Sequence, residues 1–194
     1  MSVRPHVFVI SGPNGAGKST AAPGLLRDLL GVAEYVNADL IAQGLSAFDT
    51  EAVAFQAGRV MLARLKQLAA QKRNFAFETT LATRSYQPWL SSLQEGGYAV
   101  DLVFLWLPGP EMAVARVMER VRLGGHDVPG AVIRRRYRRG LENFFRLYCP
   151  GADRWWFLDN SGPEGPRLIA CGARDRADDV SDSVTWTNLL EEFR

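Results

Sequence analysis

A chain of 194 residues, 47% of them hydrophobic, is long enough to bury a sizeable core in one domain and is ordinary for a globular protein. A formal net charge of +2 argues against a dedicated nucleic-acid scaffold, which is usually more basic. Two cysteines, Cys149 and Cys171, without a C-x-x-C pair or metal-ligand spacing, no basic-then-apolar leader and no run of membrane-spanning length lead us to expect a reducing, cytoplasmic setting without membrane contact.

The first predicted strand covers 6–10 and the first helix 20–30. Between them stands Gly12-Pro13-Asn14-Gly15-Ala16-Gly17-Lys18-Ser19-Thr20. It fits G-x-x-x-x-G-K-[ST] at Gly12, Gly17, Lys18 and Ser19, in the strand–loop–helix context that a phosphate-binding loop needs. Gly15 and Gly17 let the backbone curl so that N–H groups converge on phosphate oxygens, and the helix N-terminus adds positive charge there. Lys18 has the reach for the β- and γ-phosphates, and the Ser19 hydroxyl is a ligand for Mg²⁺. Pro13 stiffens the loop entry. The chain has only three lysines (Lys18, Lys66, Lys72) among its 23 basic residues, so Lys18 stands where an arginine bias would have placed Arg.

Next come a short strand over 34–37 and a helix from 38 to 43. A helix over 50–71 would bury Ala54, Ala57, Met61, Leu65 and Leu68 on one face. A strand over 75–78 follows, then a helix over 86–95 stopped by Gly96-Gly97. The apolar run 98–107, ended by Pro108, predicts a strand buried on both faces. A helix over 110–123, a turn over 124–129 and a helix over 131–148 follow. Strands over 155–158 and 167–170, joined by the loop 159–166, precede an amphipathic helix over 180–194 carrying Trp186, Leu189, Leu190 and Phe193. Alternating strands and helices imply an α/β P-loop NTPase fold, a three-layer sandwich around a mostly parallel sheet. Ligands of such sheets sit beyond the carboxyl ends of the strands. Three clusters lie there: the phosphate loop, Asn37-Ala38-Asp39, and Glu78-Thr79-Thr80.

Asp39, just past a strand end, can accept the proton of a substrate hydroxyl that attacks the γ-phosphorus; equally, it can cap a helix beginning at Leu40. Glu78, flanked by Phe75 and Phe77, needs partners, because an unpaired buried carboxylate is costly. Either Thr79, Thr80 and Arg84 complete a polar floor for an acceptor or water-ligated Mg²⁺, or Glu78 is a strand-end carboxylate paired with Arg84. Between 116 and 139 lie Arg116, Arg120, Arg122, Arg134, Arg135, Arg136, Arg138 and Arg139, against only Glu119 and Asp127. Arg116 and Arg120 share a helix face, and arginine grips phosphate with two donors. One helix cannot aim all of 134, 135, 136 and 138 at one ligand, so most of these side chains are expected at the solvated surface. A nucleic-acid face is disfavoured, since only Tyr137 supplies aromatic interleaving.

These pieces together resemble the zeta-toxin-like kinase family, including small bacterial members named as predicted ABC-type ATPases. The matching segments are SGPNGAGKST, NADLIAQGLS, FAFETTLATRSY, RVRLGGHDVP through IRRRY, and DNSG. The resemblance implies an adenylate-kinase-like domain over 1–194 with a helical lid at about 111–148. It implies transfer of the ATP γ-phosphate, with Mg²⁺, to a hydroxyl of a sugar nucleotide such as UDP-N-acetylglucosamine, and silencing by a small helical antitoxin. It places the general base on Asp39, acceptor contacts on Glu78, Thr79, Thr80 and Arg84, a nucleotide contact on Asn160, and phosphate-gripping arginines on Arg116, Arg120 and then Arg136. The segment Thr79-Thr80-Leu81-Ala82-Thr83 departs from the better-studied toxins, which leaves the acceptor open. A true ABC ATPase lacks support, because no LSGGQ-like signature occurs, and a GTPase because no Asn-Lys-x-Asp occurs. The alternative from another class is a nucleotide-dependent binding module with incidental ATP turnover, which would not need a base at Asp39.

Overall fold

The computed structural model describes residues 4–29, 31–125 and 127–194. The predicted end of the first helix at Leu30 and His126 of the 124–129 turn lie outside the described residues. Seven strands form one sheet: β1 (His6–Ser11), β2 (Tyr35–Val36), β3 (Phe75–Thr79), β4 (Ala99–Trp106), β5 (Arg154–Asp159), β6 (Arg167–Ala173) and β7 (Arg176–Val180). Their order is β2-β3-β1-β4-β5-β6-β7. The first five run parallel, β6 runs antiparallel to β5, and β7 runs antiparallel to β6. The helices are α1 (Lys18–Pro23), α2 (Ala38–Leu45), α3 (Ala54–Ala70), α4 (Tyr86–Glu95), α5 (Pro110–Arg122), α6 (Gly130–Asn143), the single turn α7 (Cys149–Gly151) and α8 (Ser183–Phe193). No helix among the described residues is long and apolar enough to cross a membrane.

β1 lies between β3 and β4, so the loop leaving it opens where the sheet's connections diverge to either side. The inner strands are largely apolar because both faces are covered. Phe75 and Phe77 pack on Trp89 of α4, and Phe104 stacks on Phe157 with centroids 5.1 Å apart. Phe144 closes over that pair, and α8 docks through Trp186, which stacks on Trp155 at 5.3 Å. The alternate residues Phe8, Ile10, Ala76 and Val103 are buried as well.

The run 98–107 holds one charge, Asp101, which is wholly buried. His6 Nδ1 at 2.6 Å and Arg154 Nε at 2.7 Å, from the two strands flanking β4, satisfy it.

Several boundaries differ from the sequence reading, each for a local reason. Pro23 lacks an N–H, and the chain beyond it continues as a π-helical segment, Gly24–Leu29, rather than one α-helix. The expected helix over 131–148 is likewise α6 followed by a π-helical segment at Phe144–Tyr148. The helix expected from 50 begins at Ala54, after a turn. β7 was not expected at all: Arg-Ala-Asp-Asp-Val is charged and mostly exposed, as befits an edge strand, and has no apolar alternation to read.

Candidate functional site

Beyond the carboxyl ends of β1 and β3 lies a cleft of about 690 Å³, inside the size range of small-molecule sites. Its floor is the 12–20 loop. Gly12 adopts φ 136, and a Cβ there would lie 2.2 Å from the Leu105 carbonyl oxygen of β4, so no other residue fits between loop and sheet. Gly17 caps α1 at φ 76; a Cβ there would meet Asn160 Nδ2 at 2.7 Å. That amide donates to Ala16 O at 2.7 Å, so Asn160 braces the loop from outside rather than facing the cleft. The first N–H groups of α1 have no intrahelical partner and are the groups that receive phosphate in such loops. Asn14, Gly15, Gly17, Lys18, Ser19 and Thr20 line the cleft, while Gly12, Pro13 and Ala16 form the loop's buried back. Asn14 Oδ1 is buried with no hydrogen-bond partner among the described residues, an orphaned group at the site.

Lys18 is only 6% exposed. Its Nζ donates to Pro13 O at 2.8 Å and stands 3.6 Å from Glu78 Oε1. Burial holds its pKa below the ordinary lysine value; Glu78 and Asp39 oppose that, and Arg120 adds to it.

Glu78, at the end of β3, is the hub. Its Oε2 accepts from Ser19 Oγ at 2.8 Å, from Asn37 Nδ2 at 2.8 Å and from the Tyr35 hydroxyl. Burial, then the Glu78 charge and hydrogen bond, raise the Tyr35 phenol far above its usual range. The expected partner Arg84 is elsewhere: its Nε donates to Asn143 Oδ1 at 3.2 Å, and it does not line the cleft. The carboxylate takes donors that approach from β2 and the phosphate loop, while Arg84 follows a bend in the chain towards α6. Thr79 and Thr80 do line the cleft.

Asp39 is exposed in the first turn of α2 and lines the same cleft. It is not the cap. Asn37 is, its Oδ1 accepting from Asp39 N at 2.7 Å and Leu40 N at 3.3 Å. The capping alternative is thereby corrected: the helix starts two residues earlier than Asp39 would set it.

The arginines sort by partner. Arg134 is clasped by Glu111 at 2.7 and 2.8 Å, Arg138 by Glu142 at 3.0 Å, and Arg122 by Glu119 at 3.3 Å, all towards solvent. Arg120 and Arg136 are half-buried and line the cleft, with Arg135 and Arg139 beside them. Arg116 lines it too, yet its guanidinium spans two backbone carbonyls, Asn160 O and Ser161 O, each at 2.7 Å. In this structure Arg116 fastens the loop after β5 rather than leaving its donors free for phosphate. Asn37 belongs to a strand-end cluster that the sequence marks, but its part as cap and as donor to Glu78 is not legible there, and Tyr35, Arg135 and Arg139 are not singled out. Tyr35 lies in a two-residue strand, and the exposed Arg135 and Arg139 belong to an arginine run whose helical phase decides which members reach the cleft.

One cleft therefore holds a phosphate-loop cation and hydroxyl, a carboxylate hub, a second exposed carboxylate and a wall of guanidinium groups. The arrangement suits binding a polyanion at one end and handling a proton at the other.

Comparison with known proteins agrees on the fold. A chain of the AvrRxo1-ORF1:-ORF2 complex solved with ATP superposes with a TM-score of 0.73 at 16% identity, over 97% of this chain and 64% of that one. This chain thus spans just under two thirds of that longer protein. A chain from the PezAT chromosomal toxin–antitoxin system of Streptococcus pneumoniae matches with a TM-score of 0.70 at 16% identity, over 99% of this chain and 79% of that one. An uncharacterized protein of Haemophilus influenzae is 27% identical over 126 residues, 65% of this chain and 88% of its own. The zeta-toxin-like resemblance read from the motifs is thus matched by a shared α/β fold with a mostly parallel sheet. The profile of the AAA domain family AAA_33 matches residues 7–143, most of the chain and all of the cleft's elements, and the chain belongs to that family.

Proposed function

We propose that this chain is an ATP-dependent phosphotransferase that moves the ATP γ-phosphate to a hydroxyl of a sugar nucleotide, UDP-N-acetylglucosamine or a similar compound. The observation that carries this reading is that Lys18, Ser19, Asp39, Arg120 and Arg136 all face one cleft at the carboxyl ends of β1, β2 and β3. The ATP-bound neighbour supports the nucleotide, and the complexed or toxin–antitoxin neighbours support a toxin role with a small helical antitoxin as its silencing partner.

Residues 12–20 would hold the triphosphate, with Lys18 drawn from Pro13 O towards it. Oxygen donors suit Mg²⁺, and Ser19 Oγ, beside Glu78, would hold it; the ion supplies charge neutralisation on the phosphate oxygens. Asp39 takes the proton of the acceptor hydroxyl as its oxygen bonds to the γ-phosphorus and the bond to the bridging oxygen breaks, releasing ADP. Arg120 and Arg136 neutralise the charge on the transferring group. Glu78, Thr79 and Thr80 orient the acceptor.

The test is label transfer from γ-labelled ATP to UDP-N-acetylglucosamine and to a metabolite mixture. Transfer to a sugar nucleotide by the wild type, lost in Asp39→Asn, is the expected result. A well-folded wild type that passes label only to water would sink the reading.

A further inference from the structure

Directly after β3 the chain adopts a conformation that its own sequence does not favour. Leu81 sits at φ 55 although it is a bulky residue, and it is wholly buried. Its neighbours Thr79, Thr80, Ala82 and Thr83 line the cleft, Thr79 pairing with Ser11 at the entry to the phosphate loop and the others following beyond the end of β3. The bend is partly self-made: Leu81 N donates to Thr79 Oγ1 at 3.1 Å and Ala82 N to Thr80 Oγ1 at 3.4 Å. The remaining restraint comes from α6 and the π-helical segment after it. Asn143 Nδ2 donates to Leu81 O at 2.7 Å, and Tyr148 OH donates to Thr83 O at 2.7 Å. Gly140 brings the α6 backbone against Thr80 O so closely that a Cβ would lie 2.6 Å away. Asn143, 5% exposed, spends its other end on Arg84 Nε. Both ends of one buried amide are thus committed to residues 81–84.

The same helix carries Arg135, Arg136 and Arg139 into the cleft. We propose that Asn143 is a positioning residue that straps the 79–83 wall to α6, fixing the acceptor-side wall relative to the helix's phosphate-facing arginines. The acceptor role of that wall rests on the kinase reading above; the strap itself does not. A carbonyl held in a left-handed turn by a single buried donor has no replacement when that donor is removed. The wall should then relax away from φ 55 while the phosphate loop, fastened by Asn160 and Arg116, stays in place.

The experiment uses the full chain and two variants, Asn143→Ala and Tyr148→Phe, the latter removing only one hydroxyl. Amide exchange over 79–85 should accelerate about tenfold or more in each, given the loss of a buried hydrogen bond. Exchange in the 12–20 loop and the Kd of a fluorescent N-methylanthraniloyl ATP should stay within about twofold of wild type. With UDP-N-acetylglucosamine as the acceptor probe, Asn143→Ala should raise the acceptor KM about tenfold with a smaller change in kcat. Unchanged exchange over 79–85 in Asn143→Ala would overturn the strap, whatever Tyr148→Phe does, as would equal losses for ATP and acceptor. If Asn143→Ala does not fold, a third variant, Asn143→Asp, which keeps an acceptor for Arg84 and loses the donor to Leu81 O, decides by the same exchange measurement. A wild type that phosphorylates no UDP-N-acetylglucosamine defeats the sugar-nucleotide reading and leaves exchange to decide the strap.

Discussion

Asn37 holds Asp39 with one end of its side chain and the Glu78 hub with the other. Its Oδ1 accepts from Asp39 N at 2.7 Å, and its Nδ2 donates to Glu78 Oε2 at 2.8 Å and to Ser19 Oγ at 3.2 Å. The two jobs can be separated. Serine caps a helix about as well as asparagine, so Asn37→Ser should keep the start of α2 and melt close to wild type. It cannot supply the amide donor. A hydrogen bond to a charged group is worth about 1.5–3 kcal/mol, so kcat/KM should fall about tenfold or more. Asn37→Ala should lose the same activity and also about 1 kcal/mol of stability with the cap. Wild-type turnover in a stable Asn37→Ser protein would show that the Glu78 hub needs no amide donor.

Lys18 makes stability depend on pH in a predictable direction. Its ordinary pKa is 10.5, and burial lowers it in the folded protein. Between the lowered value and 10.5 the unfolded chain holds more protons than the folded one, so folding is increasingly favoured as pH rises through that window. Below the folded value both states are protonated and the burial cost is constant. Urea unfolding of wild type and Lys18→Met across about pH 8–10 should show a stability difference that moves in the wild type's favour as pH rises. A difference that is flat with pH, or that moves the other way, would contradict the burial account. Lys18→Met should also lower turnover by orders of magnitude at every pH.

Arg116 separates a fastening role from a phosphate-gripping one. Its two terminal nitrogens reach Asn160 O and Ser161 O, a fork that lysine cannot reproduce. Arg116→Lys should loosen the loop that carries Asn160 and, through it, the phosphate loop. Affinity for ATP should fall about tenfold while the acceptor KM changes little. Arg136→Lys, on the opposite helix of the α5–α6 hairpin, should spare ATP affinity and lower kcat. Fluorescence titration with an ATP analogue and steady-state kinetics distinguish the two, and an Arg116→Lys protein with unchanged affinity would assign the fork no functional part.

The phosphate loop and the five parallel strands were legible because their signals are local. Gly12, Gly17 and Lys18 sit at fixed offsets, and a strand such as β4 declares itself by an unbroken apolar run. What escaped depends on contacts distant in sequence. Nothing near Glu78 says that its partners are Tyr35, Asn37 and Ser19 rather than Arg84, since these donors come from β2 and the phosphate loop. Arg116 and Arg120 share a face as their spacing says, yet spacing is silent on the carbonyls of 160–161 that occupy Arg116. Arg135 and Arg139 reach the cleft while staying exposed, on a helix tied to the end of β4 by the Tyr137 hydroxyl, which donates to Leu107 O at 2.7 Å, and neither fact can be read from the arginine run itself. A π-helical segment leaves a helical pattern almost unchanged, and the polar edge strand β7 leaves none.

Asp39 remains the residue on which an enzyme and a binding module differ. Because Asn37 is the cap, Asp39→Asn leaves the hydrogen bonds that start α2 in place. The substitution removes one acidic charge from the first turn of the helix, worth about 0.3–1 kcal/mol, so the protein should melt only slightly below wild type. Affinity for ATP should change little, since Asp39 is exposed and lies outside the 12–20 loop. Transfer to an acceptor hydroxyl should fall about 10²–10⁴-fold, because an amide cannot take the proton. The acceptor-independent loss of phosphate from ATP should fall much less, since water brings its own routes for the proton. If production of the wild type is toxic to a bacterial host, Asp39→Asn should relieve that toxicity in parallel with the loss of transfer. A stable Asp39→Asn protein that still transfers phosphate at the wild-type rate, or stays equally toxic, would remove the base from the mechanism and favour a module that binds nucleotide and acts through a partner.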